Sequence, residues 1–283
     1  MDEVKKFYKY RSLRNADGSV NEFTAAILQK TEIWFAAPKD FNDPFDCNLR
    51  LHVNDSTDEE WVSYLSRMEE AYPEFKEPLQ VAKSKRLWRQ GDQFCNIGLK
   101  TWDETYNRSS VFCLSKKPNS IPMFSYYADN HKGVAIEFEF SDMGVPCGIP
   151  YQEALLRDPR TSTGVVFKDV KYSRGFPELN YLRLYDKTES HELVNSIIFT
   201  KHHEWAHEDE YRIFRKGVPP SIVSINKSLV TRVIFGCRST EPDVDLVKGW
   251  LVGWPTDVVL ARATECRDRF ELEVVDFDCV KAN

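Results

Sequence analysis

Apolar and polar positions along this chain alternate with a period of two in many short runs, and a helical period shows in only a few windows. FYKYRSL (residues 7–13) is aromatic and alternating, and reads as an opening strand. After the turn signal Asp17-Gly18, NEFTAAILQK (21–30) reads as a short helix. TEIWFA (31–36) and NLRLHV (48–53) are further strands, separated by a loop rich in turn residues, PKDFNDPFD (38–46). From Thr57 to about Asn107 the period changes. DEEWVSYLSRMEEAY sets Trp61, Tyr64, Leu65 and Met68 on one face, with Ser56 or Thr57 as N-cap, and a longer helical stretch runs roughly from Pro78 to Tyr106. This block predicts a helical insertion at about residues 57–107.

β character then returns in SSVFCLS (109–115). A short helix follows over Ile121–Asn130. GVAIEFEF (133–140) places Val134, Ile136, Phe138 and Phe140 on one face of a half-buried strand. GVVFKDVKYS (164–173), EYRIFRK (210–216), TRVIFGC (231–237), DVVLARA (257–263) and FELEVVDFD (270–278) read as strands. Thr188 to about Trp205 and PDVDLVKGWLVG (242–253) read as helices. Strands and helices are interspersed without regular βαβ alternation. The pattern predicts an α+β fold with a curved, mostly antiparallel sheet, as a single domain over residues 1–283 with the helical lobe attached.

Composition narrows the classes. The 283 residues are 42% apolar and 13% aromatic, enough for a substantial core. The net charge of -6 comes from intermixed acids and bases, which gives no general nucleic-acid footprint. Seven scattered cysteines include no C-x-x-C pair and read as free thiols of a reducing compartment. No apolar run approaches bilayer length, and the start of the chain lacks a signal-type apolar segment. The expectation is a cytoplasmic protein with no membrane partner.

Two overlapping motifs compete in HHEWAHEDEYRIF (202–214). His203-Glu204-Trp205-Ala206-His207 spells H-E-x-x-H, which on an α-helix sets two imidazoles on one face around zinc. The extended zinc pattern fails, because Glu210 stands where a glycine is needed and no histidine follows His207. Two solvent-facing histidines at a helix end explain the letters better, so no metal is expected, and a zinc hydrolase through His203 and His207 is the lesser alternative. Glu208-Asp209-Glu210 spells E-x-E. If it enters a strand, Glu208, Glu210 and Arg212 share a face, where they meet either a ligand or one another as a surface ion network. Other candidates are Arg11 beside Tyr10 on the first strand, Ser115 ending VFCLS, Tyr126 and Tyr127 before a strand, and Asn42 and Asp43 in the FNDPFD turn, the last pair reading equally well as a rigid turn.

The ordered blocks YKYR, IWFAAPKDFNDPFD, VFCLSKKPNSIPMFSYYADNHKGVAIEF, KHHEWAHEDEYRIF and VIFGC, spanning roughly residues 7–237, resemble the domain-of-unknown-function 2971 family. That family's last motif corresponds here to Lys201, Trp205, Glu208, Glu210 and Arg212. The layout is also similar to the ADP-ribosyltransferase superfamily of the Arg-Ser-Glu type, with Arg11, Ser115 and Glu208-x-Glu210 in that order, although Leu114-Ser115-Lys116 stands where the superfamily has Ser-Thr-Ser. This second resemblance implies a split β-sandwich and NAD as substrate. Arg11 would hold the pyrophosphate, Tyr127 would stack on nicotinamide, and Tyr10, Asn42, Asp43, Ser115 and Arg212 would complete the nucleotide site. Glu210 would face the positive charge of glycosidic cleavage and Glu208 would activate an unidentified acceptor macromolecule, in a toxin or phage-defence effector. The alternative is a non-catalytic module that binds a nucleotide or a partner.

Overall fold

The structure, a computed structural model, describes residues 5–48, 50–53, 56–71, 73–87, 108–140, 164–182 and 196–282. Its described strands are β1 (Lys5–Arg11), β2 (Glu32–Phe35), β3 (Arg50–His52), β4 (Ser110–Ser115), β5 (Val134–Phe140), β6 (Gly164–Asp169), β7 (Lys171–Ser173), β8 (Glu178–Asn180), β9 (Thr200–His202), β10 (Glu210–Lys216), β11 (Ser221–Ser224), β12 (Val230–Phe235), β13 (Val258–Glu265) and β14 (Leu272–Val280). Eight of them form one sheet in the order β14-β13-β12-β5-β1-β4-β10-β6. Every pairing in it is antiparallel except β12 with β13. Those two strands run parallel because the helix Glu241–Leu251 crosses over between them, and a parallel neighbour cannot be reached by a tight turn. The expectation of an α+β fold with a mostly antiparallel sheet is met.

Both faces of this sheet are covered, so its central strands do not show the one-sided burial that their alternation predicts. Val134, Ile136, Phe138 and Phe140 of β5 pack with Ile27, Leu28, Val244, Val247 and Trp254 on one face. Ala135 packs with Tyr8, Tyr10, Met123 and Phe124 on the other. Each large apolar side chain sealed in this way contributes on the order of 1.5–3 kcal/mol. Glu137, which was expected to face water, is buried and takes hydrogen bonds from Lys6 at 3.0 Å, Tyr8 at 3.0 Å and Thr231 at 2.8 Å.

Several boundaries differ from the sequence reading. NEFTAAILQK begins as an α-helix capped by Asn21 and continues as a π-helical turn, Ala26–Lys30. GVVFKDVKYS divides into β6, in the main sheet, and β7, which pairs with β9. The helix expected from Thr188 to Trp205 lies partly outside the described residues. Where it is described, residues 196–198 are helical, as expected, and the chain is then a strand from Thr200 to His202 and a 3-10 helix, His203–Glu208. The helical lobe is present as Asp58–Ala71 and Lys76–Ser84, and residues 88–107 lie outside the described set. Thr57 caps the first helix reciprocally with Glu60. Trp61, Tyr64 and Leu65 form a separate small core with Tyr181 and Leu182.

Candidate functional site

β1 and β4 are neighbours in the sheet, yet they share a single paired position, Tyr8 opposite Ser115. By contrast β1 is paired with β5 over all seven of its residues, and β4 with β10 over six. Beyond Tyr8 the two strands part, and their facing backbone groups lose their ladder partners. An unpaired buried carbonyl is costly; that of Cys113 is satisfied by the amine of Lys9 at 2.8 Å. The wedge opens into a cavity of about 480 Å³, floored by Lys9, Tyr10, Arg11 and Cys113. The turn-rich loop supplies its outer wall through Phe41, Asn42 and Asp46.

The acidic side of the cavity is built by a turn. Glu208 ends the 3-10 helix, Asp209 adopts the left-handed conformation with φ 43°, and β10 starts at Glu210. The two carboxylates are therefore set by the end of the 3-10 helix and the left-handed Asp209 that precedes the strand, not by strand alternation, as was expected. Ser115 secures the turn: its hydroxyl donates to the Glu208 carbonyl at 2.6 Å and accepts from the Lys117 N–H at 3.1 Å.

A buried charge network lies beneath. Arg212 is 0% exposed and sends its fork both ways, to Asp46 at 2.8 and 2.6 Å and to Glu210 at 2.9 and 2.9 Å, with the Ile198 carbonyl at 2.6 Å. Lys201 donates to Glu208 and, at 3.4 Å, to Glu210, and lies 3.5 Å from Asp46. Its amine stands 5.0 Å from the centre of the Trp205 ring. Tyr127 donates to Glu208 at 2.6 Å, and Asn42 donates to the Tyr127 hydroxyl at 3.4 Å. The Tyr172 hydroxyl accepts from the Glu210 N–H at 2.8 Å.

Burial alone would push both glutamates toward the neutral form, and their partners separate them. For Glu210 burial is outweighed by Arg212 and then Lys201, which hold the carboxyl ionised down to about 2. For Glu208 burial prevails over the pull of Lys201, and Glu210 adds to it, so its pKa lies above the ordinary value. Lys201 is desolvated too, but Glu210, Asp46 and Glu208 keep it charged. Burial, aided by Arg11, pushes Lys9 down to about 8, against the pull of Cys113, Glu210 and Glu208. Burial also lowers Arg11, whose Nε has no partner.

Arg11, Tyr10, Asn42, Ser115, Tyr127, Glu208 and Glu210 thus line one cavity. Not all of them face it with a free group. Ser115 is occupied with backbone, and the Tyr10 hydroxyl donates to the Lys117 carbonyl at 2.6 Å and accepts from the Ser120 N–H at 3.2 Å. Arg212, expected to touch a nucleotide, lies behind Glu210 and is not among the lining residues; it is the support of the carboxylates, not an exposed ion pair. Asp43 faces an adjoining pocket. Tyr126 is 70% exposed at the cavity's edge.

His203 and His207 lie on the 3-10 helix, where residues four apart point about 120° away from each other. His203 contacts His202 at 3.3 Å and His207 the Glu204 carbonyl at 3.0 Å. Among the described residues no group of three or more His, Cys, Asp or Glu side chains is placed to hold a metal ion.

The sequence reading did not select Lys9, Asp46 or Tyr172. Lys9 and Arg11 were two apart on one strand face, which was the available signal. Asp46 and Tyr172 reach the site through long-range contacts that no local pattern reports.

Residues 123–213 match the model of the family described as "Protein of unknown function (DUF2971)". The match is narrower than the blocks that suggested it. It includes Tyr127, Lys201, Trp205, Glu208, Glu210 and Arg212, the acidic half of the cavity and its support. No curated protein and no solved structure gave a match.

Proposed function

We propose that the cavity is the active site of an ADP-ribosyltransferase-like enzyme that uses NAD as substrate, on a sheet split between β1 and β4. The observation that carries this reading is the meeting of Arg11, Ser115, Glu208 and Glu210, from three separate strands and a turn, around one cavity. Its volume of about 480 Å³ is of the size that takes small molecules, within roughly 300–1,000 Å³. The donors suit a dinucleotide. Lys9 and Arg11 bring cations to the cavity floor, and the Arg11 Nε is a donor without an acceptor, which suits a pyrophosphate. The rings of Tyr126 and Tyr127 offer apolar faces.

In the reaction the bond between the ribose anomeric carbon and the nicotinamide nitrogen breaks, and nicotinamide leaves with the electron pair. Positive charge grows on the ribose, and Glu210 is already ionised and fixed by Arg212, so it meets that charge without reorganisation. Glu208 has the higher proton affinity, and it takes the proton of the acceptor as the acceptor bonds to the anomeric carbon. Ser115 and Lys201 are positioning residues for the pair.

The test is nicotinamide release from NAD by the purified chain, alone and with cell extract as a source of acceptor. Glu208→Gln and Glu210→Gln should each lower the rate by about 10²-fold or more, with far-ultraviolet circular dichroism unchanged. Absence of both NAD binding and nicotinamide release in the unaltered protein rejects the proposal. NAD binding without turnover supports instead a non-catalytic nucleotide-binding module.

A further inference from the structure

A second pocket, of about 470 Å³, adjoins the first and shares Asn42 and Lys201 with it. Its walls are aromatic. Phe45 stands at the surface, 57% exposed, with its ring 5.9 Å from that of Phe176 at an angle of 65°, and Trp205 closes another side. Such walls accept a flat ring by stacking. One lining residue marks the polarity of the occupant. Asp43 is buried; its Oδ1 accepts from the Phe45 N–H at 2.9 Å, and its Oδ2 has no partner. Sealed from solvent and with nothing to accept from, this oxygen carries a cost that a ligand N–H removes once the carboxylate turns into the pocket. Arg174 is exposed at the rim, where it attracts an anion and opposes a cation such as a guanidinium.

We infer that this pocket binds a nucleobase carrying an exocyclic amino group, as part of a nucleotide. The base lies among Phe45, Phe176 and Trp205, its amine donates to Asp43 Oδ2, and its phosphate faces Arg174. Adenine, cytosine and guanine offer that amine, whereas uracil and thymine present a carbonyl in its place and leave Oδ2 unpaired. The pocket binds in the absence of NAD, so the inference does not depend on the transferase reading.

The experiment is calorimetric titration of the full chain, without NAD, with CMP, AMP, GMP, UMP and cytidine. CMP should bind about tenfold more tightly than UMP, the difference made by one hydrogen bond to a charged acceptor. Cytidine should bind more weakly than CMP, and Arg174→Ala should remove that difference. Asp43→Asn keeps an oxygen for the Phe45 N–H and puts an amide donor where Oδ2 stood, so the preference should invert toward UMP. Phe176→Ala should weaken both nucleotides at least fivefold. Absence of binding of CMP, AMP and GMP alike by the unaltered chain overturns the inference, as does equal affinity for CMP and UMP. Tighter binding of N-acetylarginine amide than of any nucleotide also overturns it. If Asp43→Asn does not fold, the discrimination by the unaltered protein and the Arg174→Ala comparison still decide.

Discussion

Arg212 joins segments that are far apart in the chain: the loop at Asp46, the carbonyl of Ile198 and the start of β10 at Glu210. The network holds three carboxylates and two cations, so removing one cation leaves buried negative charge uncompensated. Arg212→Lys keeps the charge but cannot fork to two carboxylates at once. Arg212→Met, which removes the charge, should destabilise the protein by about 3–5 kcal/mol, as read from urea unfolding, and Arg212→Lys by less; a loss below about 1 kcal/mol for Arg212→Met would show that the network contributes little. Lys9 behaves in the opposite sense. Burial holds its folded pKa at about 8, below its ordinary 10.5. Below pH 8 both folded and unfolded chains carry the proton. Between about 8 and 10.5 the unfolded chain holds a proton that the folded chain has released, so this group makes stability rise with pH across that window. Anion binding runs the other way. Affinity for inorganic pyrophosphate should fall severalfold between pH 7 and 9.5 as the amine loses its charge, and Lys9→Met should flatten that dependence.

At the level of elements, the site depends on how strands end. β1 delivers Arg11 at its last residue, opposite Val134 of β5. The neighbouring Gly133 lies so close to this end that a Cβ there would meet the Arg11 carbonyl at 2.2 Å. Gly133→Ala must therefore move the end of β1, with a cost of about 1–3 kcal/mol, and should weaken NAD binding more than tenfold while the far strands β13 and β14 keep their slow amide exchange. Retention of unaltered affinity would mean that the position of Arg11 does not matter to the ligand. The 3-10 helix before β10 plays the corresponding part on the acidic wall. Its tighter winding and the left-handed Asp209 decide both that Glu208 faces Glu210 and that His203 and His207 diverge.

In the molecule as a whole, the eight-stranded sheet behaves as two ladders, β14-β13-β12-β5-β1 and β4-β10-β6, held together at Tyr8 and Ser115. The cavity lies where they diverge. A fully paired sheet would leave no space there, and a complete separation would expose the backbone of both edges. Lys9 occupies the fork and satisfies part of it. The helices Glu22–Ala25 and Glu241–Leu251 cover one face and Ile121–Tyr127 the other, so the opening is the place where polar side chains from both ladders and the loop reach a shared space. No described helix is long and apolar enough to cross a membrane.

The sequence by itself determined what local periodicity can determine. Most strands of the main sheet, the capped helix at Thr57 and the helix Ile121–Tyr127 are visible in the alternation and the caps, because side-chain period and turn chemistry act within a few residues. The likeness of the blocks to the domain-of-unknown-function 2971 family was likewise in the letters. Only the tertiary structure decided that Glu137 and Arg212 are buried, that Ser115 is occupied by backbone, and that Asp46, Lys9 and Tyr172 belong to the same site as Glu210. Burial and ion pairing depend on which distant segments pack together, and a charged residue on an alternating strand looks the same in sequence whether water or a buried partner faces it.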